Sequence, residues 1–359
     1  MNERVLFMAS ETITTNNGNY LNYNDYQAGN YEVENGSWGA GGSDGTSSSI
    51  TLNPATFPAD VTFNWNWPLS DTSQWNPKAY PNIIYVHQWA SGNGGGTGSQ
   101  YSNEVPTTVA NFTSLTATYS VSLTGDTNDA SVAFDIWLTN PNTPNPNWTT
   151  TFPQTELMVF VHSPTAWGTP GGGNQPYTIT VQGLTNAGVN ITTDSHGTST
   201  SFVGIASPQD ALSGTISIGD IFKTLLWNGV ISPNETVSDI RFGSEVGAGQ
   251  GSMTLNNFSV NWQANPNVTV DSSNTLTITT MGGNHILGNG AADTVVYSGA
   301  YASYQLEQLG ADTLITQNNN ISTLDDLNAV SFIKFADGTF DVTHHTFTPL
   351  VGVVQAPAH

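Results

Sequence analysis

The chain contains no cysteine, which removes disulfides, thiolate nucleophiles and cysteine-ligated metals together. Basic residues are almost as scarce: Arg4, Lys78, Lys223, Arg241 and Lys334 stand against 27 acidic residues, for a net charge of -22. Such a field repels phosphate backbones and anionic lipid, so nucleic acid and membrane surfaces are poor partners. No apolar run reaches the ~18 residues that a membrane-spanning helix needs. The opening Met1–Ser10 is too short in its apolar part to read as a signal peptide. Charged residues of both signs make up only 9% of the 359 residues, so the surface has to be built from Asn, Thr, Ser and Gly.

What the chain does have is 36 Gly, 10 Trp and 12 Tyr. That composition suits an all-β protein presenting aromatic platforms to a neutral polar ligand such as a sugar. From about Gly18 to Trp262 short alternating runs are separated by Gly, Pro, Asn and Asp clusters. Val61–Trp67 places Val61, Phe63, Trp65 and Trp67 on one face and Thr62, Asn64 and Asn66 on the other. Ala117–Leu123, Ser131–Leu138, Glu156–His162, Tyr177–Val181 and Ser252–Trp262 behave alike, and so many strands read as a β-sandwich or jelly roll of two antiparallel sheets. One segment breaks the period. In Ser217–Asn228, Ile218, Ile221, Phe222, Leu225 and Leu226 fall at helical spacing, Ser217 with Asp220 forms a capping-box-like start, and Gly229 ends the run. A helix packed on the outside of the sandwich is expected there. Ala264-Asn265-Pro266-Asn267 marks a boundary, giving a domain over residues 10–263 and a small β-rich one over 264–359. No sustained internal repeat is visible.

Two acids sit where acids are costly. In Thr155–His162, Glu156, Met158, Phe160 and His162 share a face opposite Leu157, Val159 and Val161. In Phe134–Leu138, Asp135 and Trp137 share a face. A carboxylate inside so apolar a strand has to be paired or to face a cleft; the plainer alternative is an acid at a solvated strand edge. Glu245, in Ile240-Arg-Phe-Gly-Ser-Glu-Val-Gly247, lies between glycines, where a glutamate is often only a solvated turn residue.

Together these segments resemble glycoside hydrolase family 12, the small retaining endoglucanases. Glu156-Leu-Met-Val-Phe160 matches the family's nucleophile strand, with Phe in place of Trp. Trp227-Asn-Gly229 followed by Phe242-Gly-Ser-Glu245 matches the helix end and acid/base segment, with Val246 where the family has Pro. Phe134-Asp135-Ile136, Asn35-Gly-Ser-Trp-Gly39 and Lys78-Ala-Tyr-Pro-Asn82 match three further family motifs, all in order over residues 19–262.

The resemblance implies a jelly roll that binds a β-1,4-glucan and cuts it by double displacement. Glu156 would be nucleophile, Glu245 acid/base, and Asp135 the partner that orients Glu156. Met158 would pack beneath the catalytic subsite. Asn35, Trp38, Trp137, Trp89 and His87 are the remaining expected glucan contacts, and Trp65 and Trp67 are either further ring platforms or core. His162 reads more simply as structural. No cofactor is implied, and the expected protein is a secreted monomer whose partner is a polysaccharide. A jelly-roll xylanase and a non-catalytic carbohydrate-binding sandwich are the alternatives. The last segment, with Gly290–Gly299 and Val330–Asp341, resembles the ends of calcium-repeat proteins exported by type I secretion. Gly288-Asn-Gly-Ala-Ala-Asp293 keeps the repeat's Asp but lacks two of its glycines, so calcium there is at most one degenerate turn.

Overall fold

Alternation in Val61–Trp67 translates directly into a strand with one dry face. Val61, Phe63, Trp65 and Trp67 are buried there, while Asn66 is exposed, so Trp65 and Trp67 are core and not ring platforms. The computed structural model describes residues 11–15, 26–36, 47–67, 77, 79–87, 108–144, 151–164, 177–193, 201–290 and 292–350. It divides into two compact units, one formed by Met1–Pro106, Thr116–Ser217 and Glu235–Val260, the other by Thr107–Leu115, Ile218–Asn234 and Asn261–His359. Among the described residues no helix is long and apolar enough to cross a membrane.

The strands of the two larger sheets are β1 (Glu11–Thr15), β2 (Tyr26–Ala28), β3 (Tyr31–Glu34), β4 (Ser47–Leu52), β5 (Val61–Trp67) and β6 (Asn82–His87). They continue with β7 (Phe112–Gly125), β8 (Val132–Pro144), β9 (Thr151–His162), β10 (Tyr177–Val181) and β11 (Leu184–Thr193). The last four are β12 (Ser201–Ala206), β13 (Ser213–Ser217), β14 (Thr236–Gly243) and β15 (Gly249–Ala264). One sheet runs β1-β4-β5-β15-β7-β13 and the other β10-β11-β12-β9-β8-β14-β6-β3-β2. The expected jelly roll of antiparallel strands is found, with one exception: β12 returns beside β9 in parallel. Rings from both sheets meet in the core. Phe134 and Phe242 of the nine-stranded sheet lie 4.4 Å apart between centroids. Tyr119 and Phe258 of the six-stranded sheet approach Phe242 to 5.0 and 5.6 Å.

In the second unit, α1 (Ile218–Trp227) follows the expected helix and Gly229 ends it with φ +67°. By its contacts this helix groups with the second unit. Its Phe222 ring lies 6.1 Å from Phe112, and the Lys223 ammonium donates to the Ser322 carbonyl at 3.0 Å. The remaining strands are β16 (Val268–Thr269), β17 (Thr275–Thr277), β18 (His285–Leu287), β19 (Thr294–Val296), β20 (Tyr304–Leu309) and β21 (Asp312–Gln317). They end with β22 (Asn320–Asn328), β23 (Phe332–Phe335), β24 (Gly338–Asp341) and β25 (Thr346–Pro349). β16 to β19 alternate between two sheets, β20–β22 join the first and β23–β25 the second, and β16–β18–β22 and β17–β19–β23 pair in parallel. The backbone therefore coils, although no residue repeat announces it.

At the turns of this coil several acidic oxygens already accept N–H and O–H groups. Asp325 Oδ1 accepts from the Gly282 and Asn284 backbones and the Asn284 amide at 2.8, 3.1 and 2.8 Å, and its Oδ2 from Tyr297 at 3.2 Å. Asp293 Oδ2 accepts from the Asn289 backbone at 2.7 Å. A calcium ion needs about six to eight oxygens free of such donors, and among the described residues no group of three acidic, His or Cys side chains is placed to hold a metal.

Two outcomes are expected. Phe242→Ala removes a ring that is 0% exposed and should destabilise the protein by roughly 3–5 kcal/mol in urea unfolding. Adding a chelator should leave the melting temperature unchanged, whereas Asp325→Ala should lower it.

Candidate active site

The nine-stranded sheet has a second face, turned away from the sandwich core, and the embedded charges collect there. Cross-strand register decides which residues share it. Glu156 on β9 stands opposite Trp137 on β8, and Met158 opposite Asp135. Asp135 in turn stands opposite Arg241 on β14, and Trp137 opposite Asp239. Arg241 faces Ile84 on β6, while Glu32 and Glu34 on β3 face Ile84 and Asn82. Directly paired residues point to the same side of a sheet, so four strands deliver Glu34, Arg241, Asp239, Asp135 and Glu156 to one surface.

Most of these groups are buried despite lying outside the core. Glu32, Glu34, Asp135 and Asp239 are all buried, whereas Glu156 and Trp137 are partly exposed. Arg241 donates from Nε and Nη2 to Asp239 Oδ2 at 3.1 and 2.9 Å, and its Nη1 lies 3.6 Å from Glu34 Oε2. Trp137 Nε1 donates to Asp135 Oδ2 at 2.9 Å, leaving Asp135 Oδ1 buried without a hydrogen-bond partner. Beside the acids, Ala133, Met158 and Phe160 form a small apolar floor against which Phe202 and Ala206 pack.

Glu245 comes from the segment after β14, which is held from both sides. Ser244 N donates to Pro81 O at 3.1 Å, Val246 N to Ala79 O at 2.9 Å, and Ser131 N to Glu245 O at 2.9 Å. Gly243 has to be glycine, since a Cβ there would collide with the Pro81 carbonyl and Asn82. Tyr80 ties the same region together, its N–H donating to Gly36 O at 2.9 Å and its hydroxyl to Ala133 O at 2.9 Å. The Glu245 side chain is 8% exposed and its Oε2 is buried with no hydrogen-bond partner. It is no solvated turn residue.

Burial dominates the ionisation of these acids. It pushes the Glu245 carboxyl up to about 8, with the nearby Asp135 charge adding to the rise and Ser131 opposing it. Asp135 is pushed up to about 7 by burial, against the pull of Arg241 and with the push of Asp239 and Glu34. Burial opposes the Arg241 charge, but Asp239, Glu34 and Asp135 outweigh it and hold the guanidinium protonated. Tyr80 is raised by burial and then by the charges of Asp135 and Glu245.

Of the residues expected from the sequence, Asp135, Trp137, Glu156 and Met158 therefore share one face, with Glu245 close to Asp135. Asn35 is buried at the end of β3, next to Glu34. Trp38, Trp89 and Lys78 lie outside the described residues, as does the side chain of His87, whose backbone stands opposite Asp239. His162 Nδ1 lies 2.9 Å from Asp210 Oδ2 at the far end of β9. Sequence reasoning missed Glu34, Asp239 and Arg241. A usable signal existed, because Ser238-Asp-Ile-Arg-Phe242 embeds charges in a strand just as Phe134–Leu138 does.

No protein-family model and no curated protein sequence matches the chain. Solved structures do. A family 12 xyloglucanase from Bacillus licheniformis superposes with a TM-score of 0.52 at 22% identity, over 71% of this chain and 100% of that one. Endoglucanase cel12A from Rhodothermus marinus does so with 0.55 at 19% identity, over 71% and 100%. Endoglucanase 3 from Trichoderma harzianum gives 0.52 at 21% identity, over 71% and 98%. The fold is that of glycoside hydrolase family 12. Each of these enzymes is matched almost end to end, while more than a quarter of the present chain has no counterpart in them.

Stability should follow the same carboxyls. The folded-state values of Glu245 and Asp135 are raised above the ordinary values of 4.5 and 3.8, so the folded protein keeps protons that the unfolded chain releases. Their contribution is fully present below about pH 4 and is lost as pH rises through about 8. The melting temperature should fall between about pH 5 and about pH 9, and less steeply in Glu245→Gln. An equally steep fall in that variant would count against the buried, protonated glutamate.

Proposed function

We propose that the chain is a retaining endo-β-1,4-glucanase acting on cellulose-type, mixed-linkage or xyloglucan chains outside the cell. The observation that carries this reading is the asymmetry of the acids on one sheet face. A partly exposed Glu156 shares that face with buried Asp135, while buried Glu245 keeps its proton up to about 8. Hydrolysis of a glycoside needs one carboxylate to attack and one carboxylic acid to protonate the leaving oxygen. The fold shared with xyloglucanases and endoglucanases supports a β-glucan as substrate. A neutral chain also suits the face, because its one described cation, Arg241, is already occupied by Asp239 and Glu34.

Glu156 attacks the anomeric carbon as the bond to the leaving oxygen breaks, and Glu245 delivers its proton to that oxygen. The product is a glycosyl ester on Glu156. Glu245, now a carboxylate, takes a proton from water, whose oxygen attacks the same carbon from the opposite face and releases Glu156. Two inversions retain the configuration. This route calls for carboxyls about 5–5.5 Å apart. Trp137 and the Met158–Phe160 floor offer apolar surface to the C–H faces of the sugar, and Asp135 adjusts the charge beside the nucleophile. No metal or cofactor takes part in the proposed route.

The test is release of reducing sugar from carboxymethylcellulose, xyloglucan, mixed-linkage glucan and xylan in parallel. Glu156→Gln and Glu245→Gln should each lower the rate by roughly a hundredfold to ten-thousandfold, with the β-anomer as first product by NMR. Unchanged rates in Glu156→Gln, or no activity in the parent on any glucan, would sink the assignment.

A further inference from the structure

Arg241 is the one cation described on this face, and the reading above gives it no task. It is nearly enclosed, with 12% of its side chain exposed, so it is poorly placed to touch a polysaccharide. Its charged neighbours are acids. Asp239 on its own strand takes two of its N–H groups, and Glu34 on β3 lies 3.6 Å away. Asp135 on β8 is its cross-strand partner. Across β6 it meets the neutral Ile84, with Glu32 beyond, and His87 stands opposite Asp239. Tyr80 and Glu245 complete the set around Asp135.

We propose that Arg241 is a positioning residue for the acid/base, acting through Asp135 on the proton held by Glu245. Arg241 stands opposite Asp135, and Asp135 is diagonal to Glu156 across the β8–β9 pair, while the Asp135 charge bears on Glu245. Burial alone favours a neutral Asp135, and the Arg241 charge pulls it back toward the anion. A negative Asp135 in turn raises Glu245 and keeps the acid loaded. Asp239 and Glu34 fix the guanidinium in place and partly cancel its field, which sets how strongly the pull is felt. Without Arg241, Asp135 keeps its proton to higher pH and its charge supports the Glu245 proton less.

This inference rests on the glycosidase reading for its kinetic consequence but not for its electrostatic one, so two measurements separate them. In carboxyl carbon NMR, the Asp135 midpoint should rise by about one pH unit in Arg241→Gln and fall in Asp239→Asn, where the competing anion is gone. On carboxymethylcellulose or xyloglucan, the alkaline limb of kcat/KM should move down in Arg241→Gln and stay near the parent's in Asp239→Asn and Arg241→Lys. KM should change little in all three. Should Arg241→Gln fail to fold, Asp239→Asn and Arg241→Lys still decide. An unmoved Asp135 midpoint in the folded variants overturns the proposal, as does a loss confined to KM. An inactive parent whose Asp135 midpoints shift as stated overturns the glycosidase reading instead.

Discussion

One guanidinium among buried carboxyls is the constraint on which the proposed site depends. Each of Glu34, Asp135, Asp239 and Glu245 has been taken largely out of water, and a carboxylate so placed must be paired or must take up a proton. Arg241 can balance only part of this charge. It holds Asp239 directly and Glu34 at longer range, so the deficit falls on Asp135 and Glu245, whose carboxyls are both pushed up by burial. A carboxyl that keeps its proton near neutrality is thus a consequence of burial and, after it, of charge placement.

The sandwich core makes that placement possible. Phe134, Ile136, Phe242 and Ile240 fill the inner face of β8 and β14 and are all 0% exposed. Because side chains alternate along a strand, burying these residues forces Asp135, Trp137, Asp239 and Arg241 to the other side. A slip of one residue in register would drive the charges into the core, so the aromatic cluster also protects the order of the acids. The backbone bonds around Gly243–Gly247 then bring Glu245 to the edge of the same face without a regular strand to carry it.

The second unit handles its acids differently. There Asp325 and Asp293 accept backbone N–H groups at the turns of a parallel coil, and Asp326 lies 2.6 Å from the His285 ring nitrogen. Hydrogen bonds to several donors steady a turn from within. The glycines that permit these turns include Gly282 and Gly283, at φ +107° and +77°, but the residue pattern around them is too irregular to reveal the coil.

Local pattern by itself determined the strands, the helix with its Gly229 stop, and the two misplaced acids Asp135 and Glu156. These are properties of short stretches, where alternation, capping and the cost of a charge in an apolar run are legible residue by residue. Only the tertiary structure decided that Trp65 and Trp67 are core, that α1 packs in the second unit, and that Glu245 is buried. It alone brought Glu34, Asp239 and Arg241 to Asp135. Strands far apart in the chain supply that cluster, and burial depends on what covers a residue, which no local window contains.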